Sequence, residues 1–202
     1  MRLGVFGGTF DPIHFGHLIT AEQCREQAEL DRVWFVPAAR PPHKQKYDIT
    51  PFDKRAEMIR LAIAGNPAFA VLELEKDRPG PSFTADTLSE LRRQHPNDEL
   101  FLIVGSDCLP DLPTWHEPQR VLAQATLLVG ARPGWPVWPP EKLRAALGMP
   151  ADATLNEQIV TLPLIDISSR DLRQRFSEGR SGRYLVPHAV LAYIADKGLY
   201  RK

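Results

Sequence analysis

The chain has 202 residues, of which 43% are hydrophobic and 25% are charged, so we expect one globular domain and exclude disordered and fibrous classes. Basic and acidic residues number 25 each, and the formal net charge of +0 excludes a global positive field that would attract nucleic acid. The N-terminus does not resemble a signal peptide, and no segment approaches the ~20 apolar residues of a membrane span, so we expect a cytoplasmic protein.

Apolar runs of strand length alternate along the chain with longer segments whose apolar residues recur at helical spacing. This alternation is typical of parallel strands joined by right-handed crossovers, so the sequence predicts an α/β fold with a doubly wound, mostly parallel sheet. The predicted strands are Leu3 to Phe6, Val33 to Val36, Phe69 to Leu74, Leu100 to Val104, Leu127 to Gly130 and Ile159 to Leu162. The predicted helices are Gly16 to Leu30, Pro51 to the turn at Gly65, Ser82 to the turn before Pro96, Ser169 to Phe176 and Pro187 to Ala195.

The loops at the carboxyl ends of these strands are the expected place for a ligand site. In a doubly wound sheet, ligands bind beyond those ends, at the point where the strand order reverses. We therefore expect the loops after Phe6, Val36, Val104 and Leu164 to meet at one crevice. The stretch from Arg132 to Pro140 contains four prolines, which predicts an irregular segment that wraps the surface.

Residues 7 to 17, GlyGlyThrPheAspProIleHisPheGlyHis, follow the first predicted strand and lead into the first predicted helix. Gly7 and Gly8 let the backbone turn sharply and approach a ligand closely. Gly16 precedes a helix whose free amides and dipole favour an anion. The segment lacks the spacing of a Walker A motif. These features predict a phosphate-binding segment, called the phosphate loop below, although a glycine turn without a ligand would use the same residues.

The phosphate loop carries two histidines, His14 and His17, whose spacing can place them on one face at the start of a helix. Each imidazole can donate a hydrogen bond to a phosphate oxygen, and a bound polyphosphate is expected to raise the pKa of each ring. Two alternatives stay open from these residues alone. The histidines could be capping or surface residues, or they could bind a metal ion with Asp11 as a third ligand.

A second candidate phosphate site follows the last predicted strand. Ser168 or Ser169 suits the N-cap of the helix that follows. Arg173 lies one turn inside that helix, where its guanidinium can reach a terminal phosphate while the hydroxyls and helix amides hold neighbouring oxygens. The same residues could form a capped helix and nothing more. Their functional interpretation therefore depends on the phosphate loop lying beside them.

A candidate pocket for a second substrate involves residues after the strand that ends at Val104. Asp107 and Trp115 place a carboxylate and a large aromatic face there, which suits a ribose and a planar ring. Trp115 could equally be buried for packing. Ser82 suits a helix N-cap, and this interpretation leaves the role of Thr84 undecided.

The complete phosphate loop resembles the signature of bacterial nicotinate-nucleotide adenylyltransferases, which belong to the HxGH nucleotidyltransferase superfamily. Four other segments resemble motifs of the same family: IleSerSerArgAspLeuArg, GlySerAsp, LeuProThrTrpHis and SerPheThrAlaAspThrLeu. The resemblance implies a Rossmann-like fold in which residues 1 to 202 form a single domain, with the helices from about 168 to 202 completing the ATP site. It also implies transfer of the adenylyl group of ATP to nicotinate mononucleotide, which yields deamido-NAD and pyrophosphate in NAD biosynthesis.

The resemblance also implies roles for individual residues. His14 and His17 would be catalytic, as stabilisers of the α- and β-phosphates, and Arg170 stands where the family usually has threonine, which leaves its role open. Mg²⁺ would be bound mainly through the ATP phosphates, with no metal ligand from the protein. The expected ATP-binding residues are Gly7, Gly8, Thr9, Phe10, Ser168, Ser169 and Arg173. The expected residues for nicotinate mononucleotide are Lys44, Thr84, Asp107 and Trp115.

Two alternative functions stay open. The first is the same adenylyl transfer with nicotinamide mononucleotide as the acceptor, which differs from nicotinate by an amide in place of a carboxylate. The second is a nucleotide-binding regulator that binds ATP without turnover. Neither nucleic acid nor a membrane is an expected partner, and the sequence does not fix the oligomeric state.

Overall fold

The strands predicted from the sequence form a single sheet in the computed structural model, which describes residues 1–42 and 49–201. The strands are β1 (Arg2–Gly8), β2 (Arg32–Pro37), β3 (Phe69–Val71), β4 (Glu99–Gly105), β5 (Thr126–Gly130) and β6 (Glu157–Val160). The helices are α1 (Phe15–Gln27), α2 (Phe52–Ile63), α3 (Thr84–Gln94), α4 (Pro118–Gln124), α5 (Pro140–Ala146), α6 (Ser169–Ser177) and α7 (His188–Asp196).

The order of the strands across the sheet is β3-β2-β1-β4-β5-β6, and neighbouring strands pair in parallel. From β1 the chain builds outwards through β2 to β3, then returns to the other side of β1 to place β4. The order therefore reverses between β1 and β4, which is where a ligand crevice is expected in this architecture. This arrangement confirms the prediction of a doubly wound α/β sheet.

Both faces of the sheet are buried, which explains why its strands read as continuous apolar runs. In β2, Val33 and Phe35 point into a core shared with α1, α2, α6 and α7, whereas Trp34 and Val36 point into the core shared with α3, α4 and α5. Successive side chains of a strand alternate between faces, so a strand covered on both sides needs an apolar residue at every position. In the described part of the chain, no helix is long and apolar enough to cross a membrane.

Several boundaries differ from the prediction for identifiable reasons. β6 lies two residues earlier than predicted, because its parallel register with β5 pairs Leu127 with Glu157 and Gly130 with Val160. The short helices α4 and α5 were not predicted, since seven residues each are too few to show a helical period. Both carry proline in the first turn, which is a helix-start signal.

The expected N-cap at Ser82 is wrong. Helix α3 begins at Thr84 with Phe83 as its N-cap residue. The Ser82 hydroxyl instead accepts a hydrogen bond from the backbone N–H of Arg40 at 2.9 Å, and the Ser82 N–H donates to the Arg40 carbonyl at 2.9 Å. The serine therefore joins the segment after β2 to the start of α3, which brings two loops of the crevice together.

Candidate functional site

The phosphate loop leaves β1 at the reversal point of the sheet. Its backbone turns at Phe10, which has a positive φ of 49°, and the Phe10 ring then packs against Gly8. A Cβ atom on Gly8 would lie 2.9 Å from that ring, so packing alone requires glycine there. A Cβ on Gly7 would meet no atom within 4 Å, so the protein's own packing does not require glycine at this position.

The two histidines of the phosphate loop stack on each other, as their spacing predicts. Their ring centroids are 3.7 Å apart and the rings are inclined by 28°. His14 is the extended N-cap residue of α1, and its backbone N–H donates to Nδ1 of His17 at 3.3 Å. Because Nδ1 accepts this bond, the neutral His17 ring carries its proton on Nε2. His17 is therefore prepared to donate a hydrogen bond from Nε2.

His14 is more deeply buried than His17, with 3% of its surface exposed. Burial, with a smaller contribution from the positive charge of Arg132, lowers the pKa of His14 to about 3. Among residues 1–42 and 49–201, no hydrogen-bond partner is found for its buried Nδ1 atom. In the free protein at neutral pH, His14 is therefore uncharged, and Arg132, Arg170 and Arg173 are described residues that place fixed positive charge at the cleft.

A buried arginine that the sequence analysis missed binds the backbone of the phosphate loop. The side chain of Arg55 in α2 donates to three carbonyl oxygens, those of Thr9 at 2.8 Å, Ala38 at 2.8 Å and Thr50 at 2.7 Å. Only 1% of Arg55 is exposed, and burial lowers its pKa. A sequence signal was present, because Arg55 precedes the buried Met58 and Ile59 by three and four residues and so shares their helix face.

The second predicted phosphate segment lies directly against the first. Ser168 is the N-cap of α6, and its hydroxyl accepts from the backbone N–H of Asp171 at 3.1 Å. Ser169 donates its hydroxyl to the Pro12 carbonyl at 2.9 Å, and Arg173 donates from Nη1 to the Asp11 carbonyl at 2.7 Å. The capping interpretation is thus correct for Ser168, while the other two residues bind the backbone of the phosphate loop.

A cleft of about 860 Å³ opens between these two segments. The phosphate loop contributes Thr9, His14 and His17 to one wall, the start of α6 forms a second wall, and residues after β4 and β5, among them Asp107 and Arg132, complete the lining. Residues on that second wall include Ser168, Ser169, Arg170 and Arg173. The structure therefore brings most of the expected ATP-binding residues together, in a cleft that carries hydroxyls, imidazoles and guanidinium groups. These are the groups that bind phosphate oxygens.

Arg132 is a second functional candidate that the sequence analysis missed. Its Nη1 donates to Oδ2 of Asp107 at 2.7 Å, across the carboxyl ends of β4 and β5. The buried Ser106 fixes this segment, because its hydroxyl donates to the Trp135 carbonyl at 2.7 Å and accepts from the Arg132 N–H at 2.9 Å. The stretch from Arg132 to Pro139 is irregular, as predicted, but Pro140 begins α5 and Arg132 faces the cleft. The position of Arg132 two residues after a predicted strand was the available signal.

The residues predicted for the second substrate converge on an adjoining pocket. Thr84, Asp107 and Trp115 line a cavity of about 310 Å³, and Phe83 stacks on His116 at its edge with ring centroids 4.1 Å apart. Asp107 also lines the cleft beside the histidines, so the two cavities meet at this residue. Lys44, the remaining residue predicted for this pocket, lies outside the described residues.

Two acidic side chains of the cleft have protein partners. The Asp11 carboxylate accepts hydrogen bonds from Tyr200 and from the backbone N–H of Thr50. Oδ2 of Asp107 pairs with Arg132, whereas its buried Oδ1 has no hydrogen-bond partner in the part of the chain that the structure describes. Within residues 1–42 and 49–201, no group of three or more His, Cys, Asp or Glu side chains is placed to hold a metal ion. A divalent ion would fit this cleft best when carried by phosphate oxygens and water.

The chain resembles known proteins over nearly its whole length. The model of the cytidylyltransferase-like family matches residues 5–175. A probable nicotinate-nucleotide adenylyltransferase of Thermus thermophilus is 50% identical over 201 residues, covering 100% of both chains. One of Thermomicrobium roseum is 48% identical over 200 residues, covering 99% of this chain and 92% of that protein.

Solved structures show the same fold at lower sequence identity. Nicotinic acid mononucleotide adenylyltransferase of Plasmodium falciparum, complexed with NaAD, matches with a TM-score of 0.80 at 19% identity. The match covers 98% of this chain and 97% of the other, which confirms the Rossmann-like nucleotidyltransferase fold. From the family match and the full-length identities, the chain belongs to the cytidylyltransferase-like family and, within it, to the nicotinate-nucleotide adenylyltransferases.

Proposed function

We propose that this protein transfers the adenylyl group of ATP to nicotinate mononucleotide, forming deamido-NAD and releasing pyrophosphate. The observation that carries the proposal is the junction of two cavities at Asp107. One side of the junction holds the stacked histidines and the start of α6, and the other holds Thr84 and Trp115. Such a junction can hold a triphosphate and a mononucleotide so that their phosphates meet.

The reaction needs no covalent intermediate with the protein. An oxygen of the mononucleotide phosphate attacks the α-phosphorus of ATP, a new P–O bond forms, and the bond to the β-phosphate breaks to release pyrophosphate. Because an ionised phosphate is already a nucleophile, the protein has to align the two anions and stabilise charge on the transferred and leaving groups. His17 donates from Nε2, and Arg132 and Arg173 provide positive charge along the cleft.

In this mechanism the ATP triphosphate lies between the phosphate loop and α6. The backbone from Gly7 to Phe10 aligns the nucleotide, while Ser168, Ser169 and Arg173 hold the leaving phosphates. Support comes from Ser169 and Arg173, which bind carbonyls of Pro12 and Asp11 and so keep the two walls at a fixed separation. The segment from 168 onwards thus acts as part of the same domain as the sheet.

Nucleotidyltransferases of this kind generally use a divalent metal ion with ATP. We infer that the ion is Mg²⁺ and that ATP phosphates and water supply most of its ligands, because Mg²⁺ is commonly held by substrate phosphates and water, and residues 1–42 and 49–201 place no group of three or more ligating side chains together. When bound, Mg²⁺ would neutralise part of the negative charge of the phosphates.

The acceptor pocket favours nicotinate over nicotinamide for an electrostatic reason. Helix α3 begins at Thr84, so the positive end of its dipole lies at the pocket wall. A carboxylate bound there is stabilised by the positive end of the dipole, whereas a neutral amide has no net charge to be stabilised. Because a charge at a helix terminus is worth about 0.3–2 kcal/mol, we expect kcat/KM to be about 2- to 30-fold higher with nicotinate mononucleotide than with nicotinamide mononucleotide.

The direct test uses purified protein with Mg²⁺, ATP and each mononucleotide, and measures pyrophosphate release. Release with nicotinate mononucleotide supports the proposal. Equal kcat/KM values for the two acceptors would show that the dipole of α3 does not select the carboxylate. ATP binding without pyrophosphate release in the presence of either acceptor would instead favour the alternative function, a nucleotide-binding regulator.

Replacing Trp115 with alanine is expected to weaken acceptor binding without changing ATP binding. Loss of stacking on a planar ring is worth about 1–3 kcal/mol, which corresponds to a rise in acceptor KM of roughly 5- to 100-fold. Steady-state kinetics with each substrate varied in turn measures the effect. Trp138→Ala is the matched control, because Trp138 packs on Lys142 away from both cavities. An unchanged acceptor KM in Trp115→Ala would refute the stacking role.

A further inference from the structure

The phosphate loop contains a buried carboxylate, that of Asp11, whose two oxygens accept hydrogen bonds from distant parts of the chain. Asp11 is 3% exposed, and its Oδ1 accepts a hydrogen bond from the Tyr200 hydroxyl at 2.6 Å. Its Oδ2 accepts from the backbone N–H of Thr50 at 3.2 Å. One buried side chain thus joins the phosphate loop to the C-terminal region and to the segment that precedes α2.

The backbone around Asp11 is also held in place. Arg173 donates to the Asp11 carbonyl at 2.7 Å, and Ser169 donates to the Pro12 carbonyl at 2.9 Å. His14 follows two residues after Pro12. Because few bonds separate these anchors from His14, a shift of Asp11 is transmitted to the stacked histidines.

Tyr200 is itself well fixed. Its ring stacks on Phe176 of α6 with centroids 5.8 Å apart and an interplanar angle of 18°. Burial and the neighbouring Asp11 carboxylate raise the pKa of Tyr200, so its hydroxyl keeps its proton and remains a donor at physiological pH. A donor of this kind can hold the carboxylate in one rotamer.

We propose that Tyr200 is a positioning residue for adenylyl transfer: through the Asp11 carboxylate it fixes the phosphate loop, and with it the alignment of His14 and His17. Tyr200 touches neither reacting group in this scheme. The proposal rests on the proposed function, because its readout is the rate of adenylyl transfer. A purely structural anchor for the C-terminal region is the competing interpretation.

The test compares Tyr200→Phe with Tyr184→Phe. Each substitution deletes one hydroxyl, and Tyr184 serves as the control because it is 85% exposed. Misalignment of reacting groups by about 1 Å can cost roughly 100-fold in rate, so we expect Tyr200→Phe to lower kcat at least about tenfold. We expect KM for both substrates to change by less than about threefold, since the groups that bind them remain. Rates are measured well below the unfolding midpoint and normalised to folded protein by circular dichroism.

A double-mutant cycle separates positioning from a general loss of stability. Asp11→Asn preserves the side-chain shape but removes its charge, and Tyr200→Phe with Asp11→Asn should lose little more kcat than the more severe single variant. A kcat within twofold of the parent for folded Tyr200→Phe, or additive losses in the double variant, would overturn the proposal. Absence of pyrophosphate release from both the parent and Tyr184→Phe would instead count against the proposed function.

Discussion

His17→Ala is expected to lower kcat by about 100- to 1,000-fold, because a preorganised donor to transition-state charge contributes about 2.7–4 kcal/mol. The Nε2 proton of His17 is oriented by the bond from the His14 N–H to Nδ1, so alanine removes a donor that is already aligned. Stability should change less, by about 1–2 kcal/mol, since alanine removes the bond to Nδ1 and the ring contacts with His14 and Phe10 from a half-buried side chain.

The measurement pairs kcat from pyrophosphate release with urea unfolding of the same preparation. His188→Ala is a suitable control, because His188 is an exposed residue at the start of α7. It should change neither quantity appreciably. A loss of activity in His17→Ala that merely follows its loss of folded protein would indicate a structural histidine.

Arg55→Met is expected to have the largest effect on folding. Removing one partner of a buried charged network costs about 3–5 kcal/mol, and here the carbonyls of Thr9, Ala38 and Thr50 lose their donor together. The methionine fills much of the same volume, so the loss comes mainly from unsatisfied hydrogen bonds. Urea unfolding at neutral pH measures the change in the free energy of unfolding.

Arg60→Met on the same helix is the matched control. Arg60 forms ion pairs with Glu57 and Glu73, but 48% of its side chain is exposed. Exposed pairs contribute about 0–1 kcal/mol, so the control should lose much less stability than Arg55→Met. Equal losses in the two variants would show that the buried carbonyls find water or another donor without Arg55.

The arrangement of the sheet and the convergence of its loops could be predicted because they depend on local patterns. A strand that is buried on both faces, such as Val33 to Val36, needs an apolar residue at every position, and the sequence shows this pattern directly. His14 and His17 were likewise predictable as neighbours, since a helix start fixes their separation. Asp107 and Trp115 could be grouped from their position after a predicted strand, whereas Thr84 was expected beside them only from the family resemblance.

Long-range partners account for what the sequence could not predict. Serine is a preferred N-cap residue, but the Ser82 hydroxyl accepts a hydrogen bond from Arg40, 42 residues away. This long-range contact outweighs the local preference for capping. Arg132 stood in a proline-rich stretch and faces the cleft only because Asp107 lies on the neighbouring strand end. The Tyr200–Asp11 bond spans 189 residues and leaves no local pattern in either segment.

The large sequence separation between the two walls of the cleft has a consequence for biosynthesis. A ribosome makes residues 7 to 17 first, but Ser169, Arg173 and Tyr200 emerge only after the last strand of the sheet. Until these residues are made, the cleft lacks one wall and one face of the sheet lacks the apolar side chains of α6 and α7. A chain interrupted after β6 would retain the strands and the histidines, yet it would lack the contacts that fix the loop for chemistry.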